Sequence, residues 1–305
     1  MALPDSAHVG TLIRRLQTLP TRLLGTARTT TPGDAEPAGS ASRRVTLAAG
    51  ETVGADADDP RLDAALADAA SDAERDYLLK ALAAGNSVPA VVAFAEKLRG
   101  RPEEWLRTHL TLLDPTTPGT VTYRGARFAQ TDQTTCGTTT VMAARLLADP
   151  IYAFRLTTGD RPDDPTSTSP EAYERRLVAE QKSLRGWTNR LWPEVLGTTP
   201  WGVRRGLSHL AVRYTVHWAD DTDDRDIAAA GAAIATGLDS GHPVPLLVGD
   251  FYPAHYLLAV SRTDQRIRVY NPANARVVDT HLDDVRRGIG DATNFRHLHG
   301  YLIPR

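Results

Sequence analysis

The sequence predicts an α+β chain in which a cysteine-bearing helix packs on an antiparallel sheet, preceded by a small helical N-terminal domain. Three observations carry this expectation. Leucine- and alanine-rich runs at helical spacing, opened by caps and closed by glycine or proline, fill residues 59–113. The apolar residues Val141, Met142, Ala144 and Leu147 follow the chain's single cysteine, Cys136, at helical spacing. Beyond residue 240 the pattern changes to short β-branched and aromatic runs separated by turns.

These shifts divide the chain into an amphipathic arm and linker (1–44), a helical bundle (45–118) and a third domain (119–305). In the arm, Leu12, Ile13, Leu16, Leu19, Leu23 and Leu24 alternate with Arg14, Arg15, Arg22 and Arg28, and Pro20 interrupts them. Such a cationic amphipathic helix packs on its own domain, or docks on a partner protein or a membrane surface. Residues 29–42 are small, polar and proline-bearing, which reads as a flexible linker.

In the bundle, Pro60 to Ala70 is helical. Ser71 with Glu74 forms a capping box for a helix ending at Gly85, and Ser87 caps a run ending at Gly100. Pro102-Glu103-Glu104 places proline and acids in a first turn, followed by Leu106, Leu110 and Leu113. No polar constellation stands out here, so the bundle is assigned packing, occlusion or recognition. Residues 116–119 form a turn-rich boundary, and Thr120 to Tyr123 reads as a short strand leading to Gln130.

After the cysteine helix, Arg161 to Pro170 is a loop and Glu171 to Trp192 a long helix. Thr199-Pro200-Trp201-Gly202 opens another helix, and Val212 to Val216 is a strand. Asp220 to Asp226 reads as a solvated acidic loop, because it lacks the spaced oxygen ligands and central glycine of a calcium loop. An alanine-rich helix over Ile227 to Leu238 and the turn Gly241-His242-Pro243 lead into strands at Pro245 to Gly249, His255 to Val260 and Arg266 to Asn271. Val277-Val278, a short helix at Leu282 to Arg287 and a strand at His299 to Ile303 close the chain. His297 and His299 alternate on one strand face, but no acid neighbours them in sequence, so no metal is expected.

Composition narrows the function. The chain has 305 residues, of which 41% are hydrophobic and 24% charged, as in an ordinary globular protein. A formal charge of -2 and the absence of nucleic-acid motifs argue against nucleic acid as a partner. One cysteine excludes an internal disulfide framework and a cysteine-rich metal site. No cofactor is implied. Neither a membrane-spanning run nor a secretory signal is visible, so the expectation is a cytoplasmic protein or one exported by a leaderless route.

The chemistry centres on Cys136. At a helix start, unpaired backbone N–H groups and the helix dipole favour a thiolate. Gly137 removes the adjacent side chain, so a substrate backbone can come close. Gln130, six positions earlier, can place an amide beside the Cys136 N–H as the second oxyanion donor, with Gln133 as its competitor. Asp132 would disfavour a thiolate and is expected to point away. A base and an orienting residue are also required, and His255 opening one strand with Asn271 closing the next supply them.

The order Gln, Cys-Gly, Gly-x-Pro-Val, His-Tyr-apolar run and Asn-Pro resembles the papain-like cysteine peptidase superfamily over residues 119–305, and within it the bacteriocin-processing (double-glycine leader) peptidases. Asn271 stands where that branch usually carries aspartate, and a long segment separates the cysteine helix from the histidine strand. The resemblance implies a papain-like fold, Cys136 as nucleophile, His255 as base and acid, Asn271 as orienter, Gln130 as oxyanion donor and Trp201 as a substrate-groove residue. It implies hydrolysis of a peptide or isopeptide bond in a polypeptide substrate. Deamidation or acyl transfer through the same thioester is the first alternative, and a non-catalytic binding module the second.

Overall fold

The computed structural model describes residues 9–18, 45–46, 52–53, 59–188, 197–287 and 289–305. Residues 29–42, read above as a linker, and the last turn of the long helix ending at Trp192 lie outside them.

A seven-stranded sheet organises the chain. Its strands are β3 (Gly119–Thr120), β6 (Tyr214–Trp218), β7 (Val244–Gly249), β8 (Pro253–Thr263), β9 (Arg266–Asn271), β10 (Arg276–His281) and β11 (His297–Pro304), in the order β3-β10-β9-β8-β7-β11-β6. Each pairing is antiparallel. Two small ribbons stand apart, β1 (Val45–Thr46) with β2 (Thr52–Val53), and β4 (Thr122–Tyr123) with β5 (Ala126–Arg127). With the helices below, this is an α+β architecture.

The two sheet faces bury different helices. On one lies α6 (Cys136–Ala148), supported by α8 (Pro170–Thr188) and α9 (Pro200–Leu207). On the other lie α10 (Asp224–Asp239) and the 3-10 turn Leu282–Arg287. Strand alternation makes the division: Tyr256, Leu258 and Tyr270 face α6, whereas Leu257, Ala259 and Val269 face α10. Helix α6 is apolar or small nearly all round, and Cys136 to Ala144 are all buried, as expected of a helix enclosed on every side. Gly206 lets α9 press onto it, since a Cβ there would lie 2.7 Å from Val141 Cγ2.

The helical front half is α2 (Pro60–Ala67), α3 (Asp72–Ala83), α4 (Val88–Leu98) and α5 (Glu103–Leu110). One half of the capping box forms, Glu74 N–H donating to the Ser71 hydroxyl at 3.1 Å, while the Glu74 carboxylate accepts from the N–H of Ala70, one residue before the cap. Helix α7 (Pro150–Thr158), unanticipated in the sequence, completes the bundle's core with Ile151 and Phe154. Its opening signal, Asp149 before Pro150, is a plain N-cap pair. The bundle and the sheet domain therefore share one helix.

The arm's described part, α1 (Val9–Thr18), packs on β11 and β6. Gly10 N–H donates to His299 Nδ1, and a Cβ at Gly10 would lie 2.7 Å from His299 Cα. Arg14 and Arg15 pair with Asp226 and Asp220, so the acidic segment read as a solvated loop is the counter-charge for this helix. Helix α10 begins at Asp224, with Asp223 as its N-cap, because those acids also complement the helix dipole. Asp221 accepts from His297 Nδ1 at 3.0 Å, so His297 has in space the acid that sequence proximity did not offer. Among the described residues no helix is long and apolar enough to cross a membrane, and no group of three or more metal-ligating side chains gathers.

His109 joins bundle to sheet domain. It is buried against Trp105, 4.3 Å between rings, and its Nδ1 shares a 3.2 Å hydrogen bond with Tyr123 OH. Burial first, then Arg124 and Arg101, push its imidazole down to about 4 from the ordinary 6.5. The unfolded chain therefore binds a proton that the folded chain refuses, and this stability is present above pH 6.5 and lost as pH falls towards 4. His109→Asn, which keeps a hydrogen-bonding group and removes the titration, should lose roughly 2–3 kcal/mol less than the parent between neutral pH and pH ~4.5 in urea unfolding.

Candidate active site

Cys136 is the first residue of α6, and Thr135 precedes it without forming a side-chain cap. The Thr135 hydroxyl is otherwise engaged, accepting from Thr131 and Asp132 N–H at 3.2 Å each. The N–H groups opening the helix therefore stay available. Those of Cys136 and Gly137, together with that of Tyr256 on β8, act on the sulfur. Cys136 is 4% exposed and belongs to the core on the α6 face. Burial is the largest influence and pushes the thiol above its ordinary value; the three N–H groups oppose it, and the Asp132 carboxylate adds to the rise. The resting sulfur is a thiol, which differs from the thiolate that helix position alone suggested: desolvation outweighs the dipole.

His255 precedes Tyr256 on β8, the strand whose Tyr256 backbone lowers the thiol's pKa. Its Nε2 is 2.9 Å from Asn271 Oδ1. The orientation of that amide is fixed at both ends, because Nδ2 donates to the Ala292 carbonyl at 2.8 Å and Oδ1 also accepts Ala273 N–H at 2.9 Å. Oδ1 can only accept, so Nε2 carries the proton and Nδ1 is the basic nitrogen. The ring is 7% exposed, Phe295 lies 6.0 Å from it, and burial lowers its pKa against the opposing effect of Asn271. Backbone pairing of β8 with β9 begins at Leu258↔Tyr270, so His255 and Asn271 meet where the strands diverge, through side chains alone. Among the described residues no hydrogen bond joins the sulfur to the ring. Catalytic hydrogen bonds are often long until substrate closes the site.

Gln130 sits beside this pair. Its backbone N–H donates to the Pro272 carbonyl at 2.9 Å, tying it to the residue after Asn271. Its Nε2 donates to the Asp132 carbonyl at 3.0 Å, and this is the amide's one acceptor among the described residues, leaving a second N–H. Gln133 is exposed. Asp132 turns Oδ1 onto Thr134 N–H and hydroxyl and Oδ2 towards Arg185, 3.4 Å away, yet its charge still reaches the sulfur.

Gly137 fills a different place from the one anticipated. A Cβ there would lie 2.7 Å from Thr198 Cβ and 3.3 Å from Tyr256 Cδ2, so the space belongs to the chain's own packing and not to a passing substrate. Trp201 is 54% exposed, with its ring 6.4 Å from Trp218 on the α6 face. Phe251 and Tyr252 are also exposed, in the turn that leads to His255. Their position just before a candidate base was the available signal, and sequence reading passed over them. A groove of about 640 Å³ lies against α10, lined by Ile227, Gly231, Leu282 and Val285, but it holds no nucleophile and no base beyond Asp224 and Asp283.

No family model matches the chain, and no curated protein matches it in sequence.

Gly137→Ala should force Thr198 or Tyr256 to move and lower stability by about 1–3 kcal/mol, read as a reduced urea midpoint. An unchanged midpoint would mean that α6 does not approach these side chains as closely as described.

Proposed function

We propose that the chain is a papain-like cysteine hydrolase acting on a peptide or isopeptide bond in a polypeptide, with Cys136 as nucleophile and His255 as base and acid. The observation that carries this reading is the His255 Nε2–Asn271 Oδ1 bond, which leaves Nδ1 as the basic nitrogen. In the first step the Cys136 thiol gives its proton to His255 Nδ1 and sulfur adds to the carbonyl carbon. The Cys136 N–H and the Gln130 amide hold the oxyanion. The imidazolium then protonates the departing amine, giving a thioester. Water, losing its proton to His255, adds to that thioester and releases the acid and the thiol. Nothing in this sequence requires a metal.

A second reading draws on the buried, neutral sulfur and the missing sulfur–ring hydrogen bond: a binding module that keeps the fold without the chemistry. The two part experimentally. Incubation with candidate polypeptides, followed by mass, should yield fragments with the parent chain. Cys136→Ala should yield none, and His255→Ala should be at least about a hundredfold slower. A one-dalton gain would assign the same site to deamidation, and an added amine to acyl transfer. Equal turnover by Cys136→Ala would leave the binding module.

The pH profile has a definite sign. The competent state pairs a neutral imidazole, whose pKa lies below 6.5, with a protonated thiol, whose pKa lies above 9.0. The rate kcat/KM should rise through an acid limb below the ordinary histidine value and stay flat across neutrality. It should fall only above the ordinary thiol value, where the proton for the leaving group is gone.

A further inference from the structure

Gln181 has no exposed surface, yet it is a polar amide on α8. Such a group is tolerated when its hydrogen bonds are made. Among the described residues, all of them go to one loop. Oε1 accepts the Thr131 N–H at 3.0 Å and the Thr131 hydroxyl at 2.8 Å, and Nε2 donates to the Ala129 carbonyl at 2.7 Å. The residues it grips are the two neighbours of Gln130. One turn later on the same helix, Arg185 meets Asp132, whose carbonyl receives the Gln130 amide. The loop's other anchor is the Gln130 N–H bond to Pro272, beside Asn271. An apolar residue at 181 would leave the Ala129 carbonyl without this donor and the Thr131 N–H with the Thr135 hydroxyl alone, so packing alone does not explain a glutamine.

Resting on the hydrolase reading above, we infer that Gln181 is the positioning residue of the oxyanion site, fixing the Gln130 loop so that its amide and the Cys136 N–H converge on one substrate oxygen. It touches neither the sulfur nor the substrate. A displaced donor weakens transition-state binding without changing the nucleophile, so Gln181 governs stabilisation of the oxyanion and leaves the thiol's own reactivity alone.

Two small reagents separate these functions. Iodoacetamide forms an S–C bond and expels iodide, the thiol proton passing to His255 or solvent, and no oxyanion arises. N-acetylglycinal adds reversibly: the S–C bond forms, the carbonyl π pair moves to oxygen, and that oxygen takes the thiol's proton by way of His255. Its affinity therefore depends on donors at the oxygen, and is read as the aldehyde concentration that halves the alkylation rate of Cys136, followed by intact mass. For Gln181→Met, alkylation should stay within about twofold of the parent, while the half-protecting concentration rises on the order of tenfold. Gln181→Glu should show the same loss near pH ~8 and recover relative to the parent towards pH ~6, where a protonated carboxyl can again donate to Ala129. This pH-dependent rescue is a readout that a packing role would not give, and it keeps the test open if Gln181→Met does not fold. Parent-like protection in the folded variants overturns the inference and leaves the hydrolase reading standing. Failure of the aldehyde to protect the parent chain overturns both.

Discussion

The hydrogen bond between His255 Nε2 and Asn271 Oδ1 is the constraint on which the site depends. It is specific because Asn271 is itself immobilised, its two amide ends bound to Ala292 and Ala273. An amide free to flip would offer either a donor or an acceptor to the ring, and the basic nitrogen would be undefined. Held as it is, Asn271 selects one tautomer without adding a charge beside a buried imidazole. An aspartate in the same place would favour the protonated ring; asparagine leaves burial as the larger influence, and the ring rests neutral.

The fold fixes the sulfur and the imidazole by two independent routes. Helix α6 delivers Cys136 at its N-terminal end, and small residues allow the close approach: Gly137 against Thr198 and Tyr256, and Gly206 of α9 against Val141. The sheet delivers His255 and Asn271 at the point where β8 and β9 separate. Tyr256, next to His255 on β8, has its side chain in the α6 core, and its backbone lowers the thiol's pKa. Enclosure has a consequence for the chemistry. It raises the thiol and lowers the imidazole, so both groups rest uncharged. Burial of this kind slows oxidation and alkylation of a thiol.

Much of this was legible in the sequence. The helix starts at Ser71, Ser87 and Thr199, the strands at Pro245 to Gly249 and Arg266 to Asn271, and the sheet's antiparallel character follow from caps, glycines and β-branched runs whose physics is local. What escaped was non-local. Helix α7 was overlooked because its burial comes from the bundle, and only Asp149-Pro150 announced it. The acids at 220–226 read as solvated because their partners, Arg14 and Arg15, lie at the far end of the chain. Gln181 sits in a helix that pattern analysis describes by its aromatic and leucine residues, and nothing near it in sequence reveals a loop fifty residues earlier. Gly137 was assigned to a passing substrate because the segment that fills its place, at Thr198, is equally remote. The helix dipole argued for a thiolate, and desolvation, which sequence does not display, outweighed it.

The proposed chemistry requires the Cys136 sulfur and the His255 imidazole to exchange a proton. The most direct measurement follows the His255 ring nitrogens by nuclear magnetic resonance from acid to alkaline pH, in the parent chain and in Cys136→Ala. Proton exchange predicts the Nε2–H tautomer at neutrality, an inflection below 6.5, and a second inflection at the thiol's ionisation that vanishes in Cys136→Ala. Superimposable curves from the two proteins would contradict it.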